Sequence, residues 1–188
     1  MNYSIIYLTG FMGAGKSTIG PILANTLGWE FYDLDSVIEK DSRKKVKDIF
    51  AEHGEPYFRK VETETLKKLS TGKNIVIALG GGAITIEENM RIIKRAGKIV
   101  YLKTSPEKVY QRLRNKKDRP ILLGENGDCL SKDEFLKKVT TLIDSRKRYY
   151  EQADIVIDTD NEPIGKTIDK LANIINKMQN RGKKIEEN

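Results

Sequence analysis

The sequence has few of the residues that build disulfide-rich proteins or histidine-based metal sites. Among its 188 residues there is one cysteine, Cys129, and one histidine, His53. A single cysteine excludes an internal disulfide, so we expect a reducing compartment. His53 has no histidine or cysteine close by in the chain with which to bind a metal. Apolar runs are also short, because none approaches the roughly 18 residues that a membrane span needs.

The N-terminus lacks a basic segment followed by a long apolar run. We therefore expect no signal peptide and a cytoplasmic location. Acidic residues are outnumbered, with 34 Lys and Arg against 27 Asp and Glu, which gives a net charge of +7. A basic balance predicts affinity for anions, which include nucleotides, acidic metabolites and nucleic acid. Charge alone does not choose among these partners, and we expect neither a membrane nor a nucleic acid.

A glycine-rich loop near the N-terminus has the pattern of a phosphate-binding site. It reads Gly10-Phe11-Met12-Gly13-Ala14-Gly15-Lys16-Ser17-Thr18, between an apolar stretch at 4–9 and a helical stretch at 19–27. Such a loop turns successive N–H groups inward, and the helix that follows adds its positive end. A lysine at this place meets the β- and γ-phosphates, and the following hydroxyl meets Mg²⁺. The sequence therefore predicts a nucleotide site formed by Gly13, Ala14, Gly15, Lys16, Ser17 and Thr18.

Apolar strand segments alternate with helical segments along the whole chain. The clearest strand is the continuous apolar run at 74–79, and capping boxes predict helix starts at 85–88 and 131–134. This alternation predicts an α/β fold of three layers, α/β/α, with a central five-stranded parallel sheet. One domain at 1–180 and a charged tail at 181–188 account for the length. Ligands of such sheets bind beyond the carboxyl ends of the strands.

Two aspartates, Asp33 and Asp35, end the predicted second strand. If the backbone there is extended, residues two apart point the same way. One carboxylate could hold Mg²⁺ through water, and the other could accept a proton from a substrate hydroxyl or simply bind it. The alternative is an acidic turn that caps a helix.

Three glycines, Gly80, Gly81 and Gly82, follow the third strand and would let a ligand approach the backbone closely. A flexible turn is the alternative. In the preceding helical segment, Arg59 lies three residues before Glu62, and an arginine held by a glutamate is a prepared fork for a carboxylate. A surface ion pair is the simpler interpretation of that spacing.

A basic cluster occupies residues 112–119 and is followed by Pro120. It contains Arg112, Arg114, Lys116, Lys117 and Arg119. The cluster could be a solvated loop or a nucleic-acid patch. It could also be a lid that closes over ATP and brings one arginine to the transferring phosphoryl group.

Taken together, these motifs resemble the shikimate kinase family. The resemblance covers about 3–175 and rests on the glycine loop, Asp33-Leu34-Asp35, Gly54-Glu55-Pro56-Tyr57-Phe58-Arg59 with Glu62, the triple glycine, Arg119-Pro120 and Arg146. It implies a P-loop kinase fold with a small helical substrate-binding lobe at about 34–63 and a lid at about 113–130. It also implies a monomer.

The resemblance further implies a role for each matching residue. Ser17 and Asp33 would serve Mg²⁺, Asp33 through water, and Lys16, Asp35 and Arg119 would be catalytic. Nucleotide contacts would come from the glycine loop together with Arg112, Arg119 and Pro120. Shikimate contacts would come from Asp35, Phe50, Phe58, Arg59, Glu62, Gly80, Gly81, Gly82 and Arg146, with Glu62 orienting Arg59.

The implied activity is transfer of the ATP γ-phosphoryl group to the 3-hydroxyl of shikimate, in aromatic amino acid biosynthesis. Two alternatives remain at the level of sequence. One is a different small-molecule kinase on the same fold, acting on gluconate or a nucleoside monophosphate. The other is a nucleotide-gated protein that binds nucleic acid, motivated by the net charge of +7.

Overall fold

The computed structural model describes residues 3–114 and 130–186, with side chains as far as residue 180. The strands of this part of the chain are β1 (Ile5–Thr9), β2 (Glu30–Asp33), β3 (Ile75–Ala78), β4 (Lys98–Lys103) and β5 (Ile155–Asp158). The helices are α1 (Lys16–Leu27), α2 (Leu34–Ser42), α3 (Val46–Leu69), α4 (Glu87–Ala96), α5 (Pro106–Leu113), α6 (Lys132–Tyr150) and α7 (Ile164–Glu186). A short 3₁₀ turn, Ala83–Thr85, lies between β3 and α4.

All five strands pair in parallel, in the order β2-β3-β1-β4-β5. This confirms the predicted five-stranded parallel sheet. The central strand β1 pairs with β3 on one side and with β4 on the other. The winding of the chain changes direction there, and parallel sheets open a crevice at the carboxyl end of such a strand.

Both faces of β1 are covered, which makes the fold three-layered. Ile5 and Tyr7 belong to one buried cluster, packed with residues of α2, α3 and α4. Ile6 and Leu8 belong to a second cluster on the opposite face, packed with residues of α1 and α7. Because successive side chains of a strand point to opposite faces, a strand buried on both sides must be apolar throughout.

Helix α1 begins earlier than the predicted start at residue 19. Gly15 is its N-cap in the left-handed region, with φ of 101°, and Lys16 is the first helical residue. The amides of Lys16 and Ser17 therefore belong to the first turn, where helix geometry leaves N–H groups without intrahelical acceptors. Pro21 consequently lies inside the helix and not in its first turn.

The helical lobe between β2 and β3 contains a break at Gly54. Gly54 has φ of 77° and ψ of 173°, so α3 is two helical segments joined at this residue. Pro56 follows two positions later, and a proline is tolerated in the first turn of the second segment. The break fixes the point from which Arg59 and Glu62 project.

Helix starts and ends show two further departures. The capping box predicted at Thr85 is wrong: the Thr85 hydroxyl donates to the Gly82 carbonyl at 2.7 Å, and Ile86 is the N-cap of α4. The 3₁₀ turn takes the threonine away from the helix start. The box at Ser131 and Glu134 is confirmed in both directions. Helix α7 continues to Glu186, so most of the charged tail predicted at 181–188 is helical.

None of the helices in the described ranges combines the length and the apolar character that crossing a bilayer requires.

Candidate active site

A cleft of about 620 Å³ opens beyond the carboxyl ends of the strands. Among the predicted site residues, those that line it are Gly13, Ala14, Gly15, Lys16, Ser17, Thr18, Asp33, Asp35, Gly80, Gly81, Arg112 and Arg146. The ends of β1, β2 and β3 thus contribute to one rim, as the sequence predicts. Phe50, Phe58, Arg59, Glu62 and Gly82 do not line the cleft, although Glu62 lies against Gly80 and Arg59 against Gly82.

Lys16 is the charged group at the phosphate end. Its ammonium group donates to the carbonyl of Gly10 at 2.7 Å and to that of Phe11 at 3.3 Å. Burial lowers the pKa of Lys16 to about 8, against the attraction of Asp35 and Asp33. The positive charge of Arg146 lowers it further. A phosphate at this end would restore the counter-charge that the buried lysine lacks.

Asp33 serves two neighbours with its two oxygens. Oδ1 accepts from the Ser36 N–H at 3.2 Å and caps α2, while Oδ2 faces the Ser17 hydroxyl at 3.5 Å. Asp33 can therefore cap α2 and lie near the Ser17 hydroxyl at the same time, although sequence analysis treats a helix cap and a metal site as alternatives. Within the described residues, no group of three or more His, Cys, Asp or Glu side chains could hold a metal. Any metal here would depend on few protein oxygens.

Asp33 and Asp35 do not lie in one extended segment, so the predicted geometry is wrong. Asp33 is the last residue of β2, but Leu34 already starts α2, so Asp35 lies in the first helical turn. Both aspartates still line the cleft, because the turn of the helix brings Asp35 round to the rim. Sequence spacing predicts the right residues here for an incorrect geometric reason.

Asp35 connects the two ends of the cleft electrostatically. Burial and the neighbouring charge of Asp33 raise the pKa of Asp35, whereas Lys16 and Arg59 act in the opposite direction. Only a glycine fits beside it, since a Cβ built on Gly80 would lie 2.8 Å from Asp35 Oδ1 and 3.1 Å from Glu62 Oε1. A carboxylate with a raised pKa is a better proton acceptor than an ordinary aspartate.

Arg59 forms an ion-pair cluster with two glutamates of α3. Its Nη1 donates to Glu62 Oε2 at 2.9 Å, and its Nε and Nη2 donate to Glu55 Oε1 at 3.0 and 2.9 Å. The Glu62 side chain is fully buried, and burial raises its pKa despite the attraction of Arg59. A Cβ on Gly82 would lie 2.5 Å from Arg59 Nη2. The triple glycine is thus needed for close approach by charged side chains.

Two phenylalanines, Phe50 and Phe58, lie next to the ion-pair cluster of Arg59. The rings of Phe50 and Phe58 lie 4.6 Å apart, and the Arg59 guanidinium lies 5.4 Å from the centre of the Phe58 ring. Phe58 is almost fully buried. These rings therefore fix Arg59 and do not face the cleft directly.

Arg146 of α6 approaches the cleft from the opposite wall. Its guanidinium lies 5.8 Å from the centre of the Phe11 ring, and a Cβ on Gly81 would lie 3.4 Å from Nη1. Burial raises the pKa of Tyr150, and the neighbouring charge of Arg146 acts in the opposite direction. Among the described residues, Arg146 thus lies beside two aromatic side chains, whereas Arg59 is paired with two glutamates.

Arg112 joins the phosphate loop to the strand ends on the other side of the sheet. It donates to the carbonyl of Gly13 at 2.8 Å and to that of Thr159 at 2.6 Å. Asp160 lies 3.8 Å from Arg112 and accepts from the Thr104 hydroxyl at 2.7 Å and the Ser105 N–H at 2.8 Å. Asp160 is not among the predicted site residues. Its partners are about 55 residues away, so no local signal marks it.

Arg119 and Pro120, which the resemblance places on the nucleotide, lie outside the described residues, as does most of the lid predicted at 113–130.

Comparison with known proteins gives matches over most of the chain. The family model described as shikimate kinase matches residues 12–176. The chain belongs to the shikimate kinase family. A member from Chlorobium limicola is 47% identical over 174 residues, which are 93% of this chain and 87% of that protein.

Solved structures of the family have the same fold. The shikimate kinase from Acinetobacter baumannii, determined in complex with shikimate, is 36% identical with a TM-score of 0.82, covering 94% of this chain and 95% of that one. The enzyme from Bacteroides thetaiotaomicron is 35% identical with the same TM-score, covering 92% and 98%. Both relationships extend over nearly the whole chain.

Proposed function

We propose that the chain transfers the γ-phosphoryl group of ATP to the 3-hydroxyl of shikimate, as a step of aromatic amino acid biosynthesis. The observation that carries this proposal is the position of Asp35, whose charge interacts with Lys16 on one side and with Arg59 on the other. Asp35 thereby lies between a site for the phosphates of the donor and a site for the carboxylate of the acceptor. In that position its own carboxylate could bind a hydroxyl of the acceptor.

At the donor end, the loop amides and Lys16 would hold the phosphates. Lys16 would exchange its bonds to the Gly10 and Phe11 carbonyls for the β- and γ-phosphate oxygens. Its positive charge then meets the charge that develops during transfer. Arg112 would hold the loop in place through Gly13. Arg119 of the predicted lid would add a second cation to the phosphates.

At the acceptor end, Arg59 and Arg146 would bind the carboxylate of shikimate, and Asp35 would bind its ring hydroxyls. Glu62 would keep Arg59 oriented from its buried position. Gly80, Gly81 and Gly82 would leave room for this grouping, and Phe50 and Phe58 would support it. Asp35 would take the proton from the 3-hydroxyl as the phosphoryl group arrives.

Mg²⁺ would be held by Ser17 directly and by Asp33 through water. The fit is reasonable because a hydroxyl and a carboxylate oxygen converge here at 3.5 Å, and Mg²⁺ prefers oxygen donors and retains much of its water. When bound, the ion neutralises phosphate charge. We also expect a monomer in the cytoplasm that does not depend on nucleic acid.

The test is ADP release with shikimate, quinate, gluconate and nucleoside monophosphates offered separately, with Asp35→Asn as the inactive control. We expect release that depends on shikimate, with the new phosphate at the 3-position in the NMR spectrum of the product. Faster release with gluconate or a nucleoside monophosphate would refute the proposal. Equal rates for the parent and the control would remove Asp35 from the mechanism.

A further inference from the structure

Arg59 has more acidic partners than orientation alone requires. Glu62 takes one N–H of Nη1, and Glu55 takes the edge formed by Nε and Nη2 with a single oxygen. A carboxylate pairs best with arginine by accepting two parallel N–H bonds along such an edge. In this structure the Nε and Nη2 edge of Arg59, which would suit a substrate carboxylate, is therefore already occupied by the carboxylate of Glu55.

The two glutamates differ in how firmly they are placed. The Glu62 side chain is 0% exposed, whereas that of Glu55 is 63% exposed. A fully buried side chain has no solvent to move into, whereas an exposed ion pair contributes little and separates easily. Glu55 also follows directly on Gly54, where α3 is broken. Glu62 is thus a permanent partner of Arg59, and Glu55 is one that can leave.

The negative charge around Arg59 also indicates that Glu55 is the partner that can leave. Glu55, Glu62 and Asp35 all interact with this one guanidinium. A bound carboxylate would bring a fourth negative charge to the same place. Glu62 is fully buried and Asp35 is half-buried beside Gly80, whereas the exposed Glu55 has solvent to move into.

We propose that Glu55 is an exchangeable stand-in for the acceptor's carboxylate, holding the Nε and Nη2 edge of Arg59 until an anionic ligand displaces it. This inference rests on the proposed function, because it concerns the same acceptor site. It makes Glu55 a specificity residue. An anionic ligand can take its place on Arg59, whereas a neutral polyol gains nothing by displacing it.

The experiment measures the Kd of shikimate by calorimetry on the full chain at low salt, for the parent and for Glu55→Gln and Glu55→Ala. The matched control is Glu52→Gln, which removes the same charge from an exposed position of the same lobe that pairs with Lys44. We expect both Glu55 variants to lower the Kd by about two- to fivefold, the range of a released surface ion pair. The control should stay at the parental value.

A neutral ligand provides the second arm. The methyl ester of shikimate keeps the ring and hydroxyls but has no charge to replace Glu55. Its Kd should be the same for the parent and for Glu55→Gln. A gain for the ester equal to that for shikimate would overturn the proposal, since it would show a general opening of the site.

The other possible results for the Glu55 variants also test the proposal. A higher Kd in the Glu55 variants would show that Glu55 holds Arg59 ready for the substrate, and an unchanged Kd would show a plain surface pair. Either result overturns this inference while ADP release with shikimate leaves the proposed function intact. If the parent neither binds nor phosphorylates shikimate, both fail together.

Discussion

At the phosphate end of the cleft, the described groups that would meet the phosphates are main-chain amides and one lysine, all from residues 10–18. The acceptor end takes its charged side chains from three helices: Asp35 from α2, Arg59 and Glu62 from α3, and Arg146 from α6. One end is a local structure that a short segment builds by itself. The other exists only after distant helices have packed against the same rim.

The two ends also differ in the groups that are paired with their cations, Lys16 and Arg59. Lys16 is bonded to the neutral carbonyls of Gly10 and Phe11, and burial lowers its pKa to about 8. Arg59 is paired twice, and its pKa is raised by Glu62 and Glu55 in spite of burial. The phosphate end is therefore short of negative charge, whereas the acceptor end has several carboxylates around Arg59. A ligand carboxylate that binds there must change how these groups are paired.

The largest effect should come from Lys16→Met, which removes the only side-chain charge contributed by the phosphate loop. We expect kcat to fall by about 10²–10³-fold, as for loss of a group that stabilises transition-state charge. The Kd of shikimate should change little. Lys73→Met, exposed near the start of β3, is the control. An equal loss of shikimate binding would show that the two ends are not separable.

Gly82→Ala should affect the acceptor end alone. Its Cβ would lie 2.5 Å from Arg59 Nη2, so the guanidinium must move. We expect the KM of shikimate to rise about tenfold, the loss of roughly one charge-assisted hydrogen bond, with the KM of ATP unchanged. Gly165→Ala, which has no atoms within 4 Å of its Cβ, is the control. Parental kinetics in Gly82→Ala would mean that Arg59 does not bind the substrate.

A smaller effect, confined to the nucleotide, should follow Asp160→Asn. The change removes the charge that faces Arg112 and one acceptor for Thr104 or Ser105. We expect the KM of ATP to rise by about fivefold, as for one net hydrogen bond, without a change for shikimate. Steady-state kinetics with each substrate varied in turn would measure this. An equal rise in both KM values would instead indicate general loosening of the fold.

The smallest effect should be a gain in stability for Glu62→Gln. The folded pKa of Glu62 is raised, so the folded state keeps the proton to higher pH than the unfolded state does. Stability is therefore lost as pH rises through the folded pKa. The uncharged variant should unfold at higher denaturant than the parent at pH 7, and the difference should vanish below about pH 4. Urea titrations across this range, with exposed Glu64→Gln as control, would measure it.

The opposite result for Glu62 would be informative as well. A variant that is less stable at pH 7 would show that the ion pair with Arg59 outweighs the cost of burial. In that case the acceptor end would contribute to stability, and the contrast with Lys16 would be greater than proposed.

Much of the fold was predictable because its signals are local. The apolar run of β3 and the capping box at Ser131 act over a few residues, and both predictions are confirmed. The predicted box at Thr85 failed since the hydroxyl bonds back into a 3₁₀ turn instead. Where two local structures compete for the same side chain, spacing alone does not decide between them.

The candidate site divides in the same way. Asp33 and Asp35 were predicted from their position after a strand, but the strand ends at Asp33, and a helix turn brings Asp35 to the rim. Asp160 was not predicted, because it acts on Thr104, Ser105 and Arg112. The roles assigned to the site residues remain predictions, and those for Arg119 and Pro120 concern residues outside the described part of the chain.

The sequence by itself determined the phosphate loop, the alternation of strands and helices, and the family. These depend on backbone preferences and on patterns within about ten residues. Only the tertiary structure decided the strand order, the joining of Lys16 to Arg59 through Asp35, and the place of Glu55 on the arginine edge. Those features depend on which charged groups share a buried space, and the energy of a charge is set by all of its neighbours, however far apart they are in the chain.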